Sequence, residues 1–473
     1  MSKGKELAKN TIIVAIGKFS TQLITFLLVP IYTIFLNPSE YGTVDLIVSY
    51  ISLAVLVLTF QLERGVFRAV IDSRNDSAKI ARIVSSATCI IMPLFVIASL
   101  IFVPLAIWLH VPYWLAIILN VIAMMGSAFF LQLARGLGKN KIFSIASVIA
   151  ATTTLISALI FVAGLQIGAI GVLLATAVAN ISSTIYLLIA LKANNYLKIS
   201  KRERQTAREL LKYSAPLTAS SLSWWVINVS DRTIVSVVLG AAANGIYAVS
   251  SKFSLIVNGL YAVFDMSWTE SASLNINSPD RDKFFSKTYS TVIKLFGMVG
   301  VLIVAAIPFV FNILVGDEFS DARLYIPAQV FGSMINVLVM FISAIYIAKK
   351  ETKKVMSTSI ISAIINISVN LLLIWFIGLW AAVTSTVVAW LVMVIYRSIE
   401  VQKFVKLKLD VRSVIIVLIT FAITCTFYYW NNLYGNIACL LLALAVSIYL
   451  NYDLASSIQS NINRKLKRTR RPS

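Results

Sequence analysis

The chain has 473 residues, 59% of them hydrophobic and only 13% charged, with a formal net charge of +21. Soluble domains carry about a quarter charged residues, so this balance excludes a soluble globular protein and points to a polytopic membrane protein. One histidine and three cysteines, all in apolar surroundings, exclude a metal centre and a disulfide framework, and no cofactor is expected.

A hydrocarbon core about 30 Å thick needs about 20 apolar residues per helix. Fourteen such spans are predicted, near 10–36, 43–62, 83–107, 114–134, 142–164, 170–191, 213–238, 245–268, 289–313, 327–348, 357–377, 381–396, 413–430 and 437–452. The first carries Lys18 within a long apolar run and lacks a small-residue cleavage site, so it reads as a retained span and not a signal peptide. With the N-terminus placed in the cytoplasm, 36 of the 41 Lys and Arg residues fall on the inner side, and the outer turns hold only Arg323. The positive charge is therefore a topology signal, which excludes nucleic acid as the partner and places both termini inside. His110, in "IWLHVPYW", reads as an interfacial side chain beside an aromatic belt.

The chain repeats itself weakly. "LNPSEYG", Leu36 to Gly42, parallels "LGAAANG", Leu239 to Gly245, at an offset of 203 residues. "IGAIGVLLATAVANISSTIY", from Ile167, parallels "IGLWAAVTSTVVAWLVMVIY", from Ile377, at 210. Two matches at nearly one offset predict an all-α protein with two six-helix bundles, 1–191 and 213–400, joined by a basic cytoplasmic linker, 192–212. Two appended helices, 401–452, and a basic cytoplasmic tail, 453–473, complete the division. Transporters commonly place a site between such repeats and rock one against the other.

Polar residues recur on single helix faces. Span 1 clusters Lys18, Thr21, Gln22 and Thr25. Span 2 lines up Asp45, Ser49, Ser52, Thr59 and Glu63; span 7 has Ser221, Asn228, Arg232 and Ser236; span 8 has Tyr247, Ser251, Ser254, Asn258, Tyr261 and Asp265. Ser, Thr and Asn serve as glue between membrane helices, so those residues alone indicate packing. Charges are different, because each costs about 2.5–3.5 kcal/mol at mid-membrane and therefore faces a partner or a wet cavity. Arg232 follows Asp231 directly, but adjacent helix residues point about 100° apart and pair badly. Arg232, Lys18 and Lys252 are therefore expected to form a cationic cleft at the seam of the two halves. Its fitting ligand would be anionic, with phosphate matching the planar fork of Arg. At the inner mouth, "QLERGVFR" supplies Glu63, Arg64 and Arg68, which read either as positive-inside anchors or as a collector of an anionic head group.

"LVPIYTIFLNPSEYGTVDL", "LTFQLERGVFRAVID" and "YSAPLTASSLSWWVINVSDRTIVSVVLGAAANGIYAVSSKF" resemble the Wzx-type polysaccharide flippases. These form the polysaccharide transporter branch of the superfamily that also holds MATE exporters and MurJ lipid II flippases. The likeness runs from span 1 to span 14 and is strongest around Pro216, Trp224, Trp225, Asn228, Asp231, Arg232 and Asn244–Tyr247. It implies a MATE-like fold in a bacterial plasma membrane, and transfer of undecaprenyl-diphosphate-linked oligosaccharide units to the outer leaflet. The polymer would be O-antigen, capsule or exopolysaccharide, with polysaccharide polymerase machinery as a further partner. Substrate-binding candidates are Lys18, Arg232, Lys252, Arg64 and Asn228; ion-coupling or gating candidates are Asp231, Asp265, Asp45 and Glu63.

Two other transporter readings stay open. A MATE-type exporter of cationic substrates would favour an acidic cleft, whereas a lipid II flippase matches both the substrate chemistry and the span count. A membrane-embedded enzyme would need a sizeable outer loop with acids or His. The outer turns here are short, and "GLGKN" at 136–140 lacks the Lys-Ser/Thr ending of a phosphate-binding loop, so no catalysis is expected.

Overall fold

The computed structural model describes residues 24–74, 76–197 and 202–469, and among them the secondary structure is helical. The helices are α1 (Ile24–Phe35), α2 (Pro38–Thr59), α3 (Leu62–Ile71), α4 (Ser77–Trp108), α5 (Trp114–Gly136), α6 (Asn140–Ala158, extended by a π turn to Gly164) and α7 (Ala169–Leu191). Then come α8 (Arg204–Val238), α9 (Ala241–Asn275), α10 (Arg281–Leu314), α11 (Ala322–Ala348), α12 (Thr352–Ile377), α13 (Trp380–Glu400), α14 (Val411–Trp430) and α15 (Leu433–Thr469). The third to fourteenth expected spans each fall on one helix, the second covers most of α2 and reaches the first residue of α3, and the described part of the first is α1.

Twelve of these helices, among the described residues, are long and apolar enough to cross a membrane. Three fall outside that set: α3 has only 10 residues, and the other two are informative. Only 12 residues of α1 are described, so part of its span, Lys18 included, lies outside the described residues. α8 is 35 residues long, about 52 Å at 1.5 Å per residue, yet too polar to qualify. Its stretch from Ser214 to Ser236 carries Ser, Thr, Asn, Asp and Arg, as a helix does when its neighbours are polar rather than lipid.

The chain divides into two compact units. The first comprises Met1–Val249, Val315–Phe319 and Asn366–Ala382; the second comprises Ser250–Leu314, Ser320–Ile365 and Val383–Ser473. Within the second unit, an aromatic cluster closes the core around Trp268, which stacks on Phe341 with ring centroids 4.3 Å apart. Asn258 on α9 accepts from Asn336 and donates to Ser333 of α11, and Gln329 donates to Ser250. That part of the span 8 polar face is helix–helix glue.

In the first unit, the start of α2 shows local sequence code at work. Asn37 is its N-cap: the Asn37 side chain accepts from the Glu40 N–H and Glu40 reaches back to the Asn37 N–H, with Pro38 at the first helical position. This capping box belongs to the first copy of the repeated heptapeptide, and the second copy packs against it. A Cβ on Gly42 would run into the carbonyl oxygen of Ala241, and one on Gly245 into that of Pro38. Pro38 corresponds to Ala241, and Gly42 to Gly245, at the same offset of 203. The contact is therefore reciprocal, as two repeats meeting across a pseudo-two-fold would make it. Asn244, fully buried, donates to the Gly42 carbonyl at 2.8 Å and locks the crossing. Because the obstructing atoms are backbone, Gly42→Ala and Gly245→Ala are each expected to cost about 1–3 kcal/mol by overpacking. The check is a lowered thermal midpoint in detergent; an unchanged midpoint in both would show that the contact is not close-packed.

Candidate functional site

Span 7 carries its acid and its cation on separate faces, as helix geometry dictates. Arg232 leaves α8 toward α2, where its Nη1 donates to Asp45 Oδ1 at 3.0 Å, lies 2.9 Å from Oδ2, and donates to Ser49 Oγ at 3.2 Å. The Arg232 side chain is 20% exposed and that of Asp45 9%. Trp225, about two turns earlier on α8, donates its indole N–H to the Ser49 carbonyl at 3.0 Å, and Tyr50 meets Thr233 at 3.1 Å. The polar faces of spans 2 and 7 thus close on each other. Asp45, which the sequence offers as a gating candidate, is the ionic partner of Arg232.

Asp231 points to the other side and is 2% exposed. Asn370 donates to its Oδ1 at 2.7 Å and Asn366 to its Oδ2 at 3.2 Å, with the Tyr247 hydroxyl at 3.4 Å. Ser230 donates to Asn366 Oδ1 at 3.0 Å. The Asn366 and Asn370 amides were missed in the sequence reading. The signal was there, two asparagines one turn apart within one span, but it does not say which element they face.

Glu63 departs from the expected continuous face. α2 ends at Thr59 because Phe60 and Gln61 adopt left-handed backbone, φ 47° and 52°, so Glu63 sits in the first turn of α3. Burial pushes the Glu63 carboxyl above its ordinary value, against its own backbone N–H, the Thr59 hydroxyl and the Arg64 charge. For an acid whose pKa is raised on folding, the folded state binds more protons between the two pKa values. Stability therefore falls as pH rises through that window. Glu63→Gln removes this dependence, so its thermal midpoint should exceed that of the parent increasingly as pH rises above the ordinary carboxylate range. A constant difference would show that Glu63 is ionised throughout.

Arg64 is exposed on α3, as both of its readings require. Asn228 lies on α8. Lys252 and Asp265 are half-buried on the stretch of α9 that belongs to the second unit. One charge was not singled out by the sequence. Arg397, counted there only among the inner-side basic residues, is 0% exposed in the last turn of α13, inside the second unit. Its guanidinium donates to the Thr358, Ser359 and Ser343 hydroxyls and to the Val355 and Val339 carbonyls. Among the described residues, no group of three or more His, Cys, Asp or Glu is placed to hold a metal ion.

Residues 7–268 match the family described as "Polysaccharide biosynthesis protein". No curated protein matches the chain. Among solved structures it is similar to the lipid II flippase MurJ in an inward closed conformation. The TM-score is 0.70 at 14% identity, over 94% of this chain and 99% of that one. It is also similar to a multidrug resistance MATE family transporter of the MOP superfamily facing inward, with TM-score 0.64 and 14% identity over 82% and 98% of the two chains. An outward-facing MATE family transporter of the same superfamily gives 0.56 and 17% over 84% and 95%. At such identities the likeness carries the fold alone. The family match extends over more than half of the sequence, however, and the chain belongs to the polysaccharide biosynthesis protein family of Wzx-type flippases, multi-pass membrane proteins with the MOP-superfamily fold.

Proposed function

We propose that the protein is a flippase that carries undecaprenyl-diphosphate-linked oligosaccharide repeat units from the inner to the outer leaflet of a bacterial plasma membrane, both of its own termini being cytoplasmic. The product feeds O-antigen, capsule or exopolysaccharide assembly, and no bond is made or broken during transfer. The observation that carries this reading is Arg232: a phosphate-matching fork on a polar helix, held by an acid that can release it. A glycan's hydroxyls would each lose several kcal/mol entering hydrocarbon unsatisfied, so unaided passage is prohibitive, and side chains such as Ser49, Tyr50 and Thr233 offer replacement partners. Outward movement of a diphosphate also gains about 2.3 kcal/mol per charge per 100 mV of inside-negative potential.

The cycle is alternating access of the two repeats. Asp45 keeps Arg232 neutralised while the site is empty, and the diphosphate displaces it by offering more negative charge to the same fork. Lys18, Lys252, Arg64 and Asn228 are further head-group contacts on the sequence pattern. Asp231, buried against two amides, is the coupling group, with Asp265 and Glu63 as gating candidates. The test is deletion in the native strain. Lipid-linked repeat units trapped in the inner leaflet, and rescue by this chain, are expected. Accumulation of lipid II instead would favour the second reading, a lipid II flippase, which the 94% coverage by the MurJ fold keeps in view.

A further inference from the structure

The basic residues at the start of α10 and before α14 are read by the sequence only as topology signals. In the second unit they are gathered. Lys283, Lys287, Lys406 and Lys408 ring one cavity of about 690 Å³, floored by Ser286 and Ser290. The walls are laced together: Lys406 N–H donates to Asp282 at 3.1 Å, Lys408 N–H to Ser286 Oγ at 3.0 Å, and Ser286 Oγ to the Lys406 carbonyl at 3.3 Å. The loop ahead of α14 is thereby fixed against the first turns of α10.

The two acids of this pocket are already committed. Asp282 is 3.4 Å from Arg281 and also accepts from Lys406 N–H. Asp410 accepts from Ser290 at 2.7 Å and from Ser413, and lies 3.4 Å from Lys294. The Ser290 hydroxyl first, then Ser413 and Lys294, hold its carboxyl well below the usual range, so it stays ionised in that frame. The four lysines are exposed, and among the described residues none has a carboxylate within ion-pair distance. Lys283 and Lys287 are also one turn apart on one helix, a like-charge pair that destabilises α10 unless an anion bridges it.

What lies beside the pocket selects the kind of anion. α10 and α14 are both candidate membrane spans, so the cavity sits where each passes from polar to apolar sequence. Leu409, Val411 and Ile415 are 52%, 56% and 49% exposed and run from the cavity down the α14 side. A free phosphate would use the lysines and leave that strip unused. An amphiphile uses both.

We propose that this pocket binds the phosphate head group of an anionic phospholipid, clasped by Lys283, Lys287, Lys406 and Lys408, with its acyl chains along Leu409, Val411 and Ile415. Basic pockets between helices on the cytoplasmic side are suited to such head groups. The site is separate from the transport cluster and does not depend on which glycan is carried.

The test uses the full chain purified in neutral detergent. Thermal midpoints are measured with added phosphatidylglycerol, phosphatidylcholine or inorganic phosphate, and retained lipid is counted by native mass spectrometry. Phosphatidylglycerol is expected to raise the midpoint by a few degrees where the other two do not, and to be retained. Both K283Q/K287Q and K406Q/K408Q should lose most of that shift and most of the retained lipid. K139Q/K141Q, which removes two exposed inner-side charges elsewhere, should keep both. Full retention by the pocket variants, an equal loss in K139Q/K141Q, or an equal shift from inorganic phosphate would each overturn the assignment. Because the substituted lysines are exposed, the variants should fold; should one not, lipid counting on the other pair decides.

Discussion

Arg232→Ala is expected to stop export of lipid-linked repeat units, and the reason must be separated from simple misfolding. Removing the guanidinium leaves Asp45, 9% exposed, without its ion partner. Breaking a buried pair from one side costs about 3–5 kcal/mol, and the partial exposure of Arg232 lowers that to roughly 1–3. The double variant Arg232→Ala with Asp45→Ala removes both charges and should recover the thermal midpoint. It should still fail to export. Arg232→Lys keeps the charge but loses the fork that grips two phosphate oxygens together, so export should fall about tenfold, equivalent to about 1.4 kcal/mol of lost head-group contact. The readout is flipping in reconstituted vesicles beside polymer export in cells. Normal export by the double variant would reduce the Arg232–Asp45 pair to a structural link and remove it from the mechanism.

The second large effect concerns stability alone. Arg397→Ala is expected to cost about 3–5 kcal/mol, enough to deplete folded protein from the membrane. The side chain is 0% exposed, and its five acceptors come from α11 and α12, so truncation opens a cavity and removes the hydrogen bonds that tie those two helices to α13. Arg397→Met should do less harm, because it fills most of the volume and the hydroxyls can turn back to their own helices. Ser343, Thr358 and Ser359 already have such carbonyl partners at Val339, Lys354 and Val355. Fluorescence-monitored size exclusion of the three proteins checks this order. Equal yields for Arg397→Ala and the parent would show that the guanidinium network stabilises nothing.

How these two arginines read in the sequence explains the limits of such reading. Arg232 stood out because it lies deep within a span and has no nearby loop to reach. Arg397 did not, because it lies close to a run of basic loop residues and α13 was expected to end at Tyr396. One further turn of helix, to Glu400, turns it into the bundle interior. Similarly, periodicity placed Asp45, Ser49, Thr59 and Glu63 on one face, but two left-handed residues after Thr59 reset the chain before Glu63.

The all-helical class, the run of apolar spans and the repeated heptapeptide were legible in the sequence, since each is a local or compositional property. A span needs only enough apolar residues. What the tertiary structure alone decided was who meets whom. Asp45 pairs with Arg232 across 187 residues, Asn370 reaches Asp231 across 139, and Gly42 packs on the second copy of its own motif. A helical period tells which face a residue occupies but not which other helix covers that face. That choice is made by close packing between distant elements, and no single segment contains it.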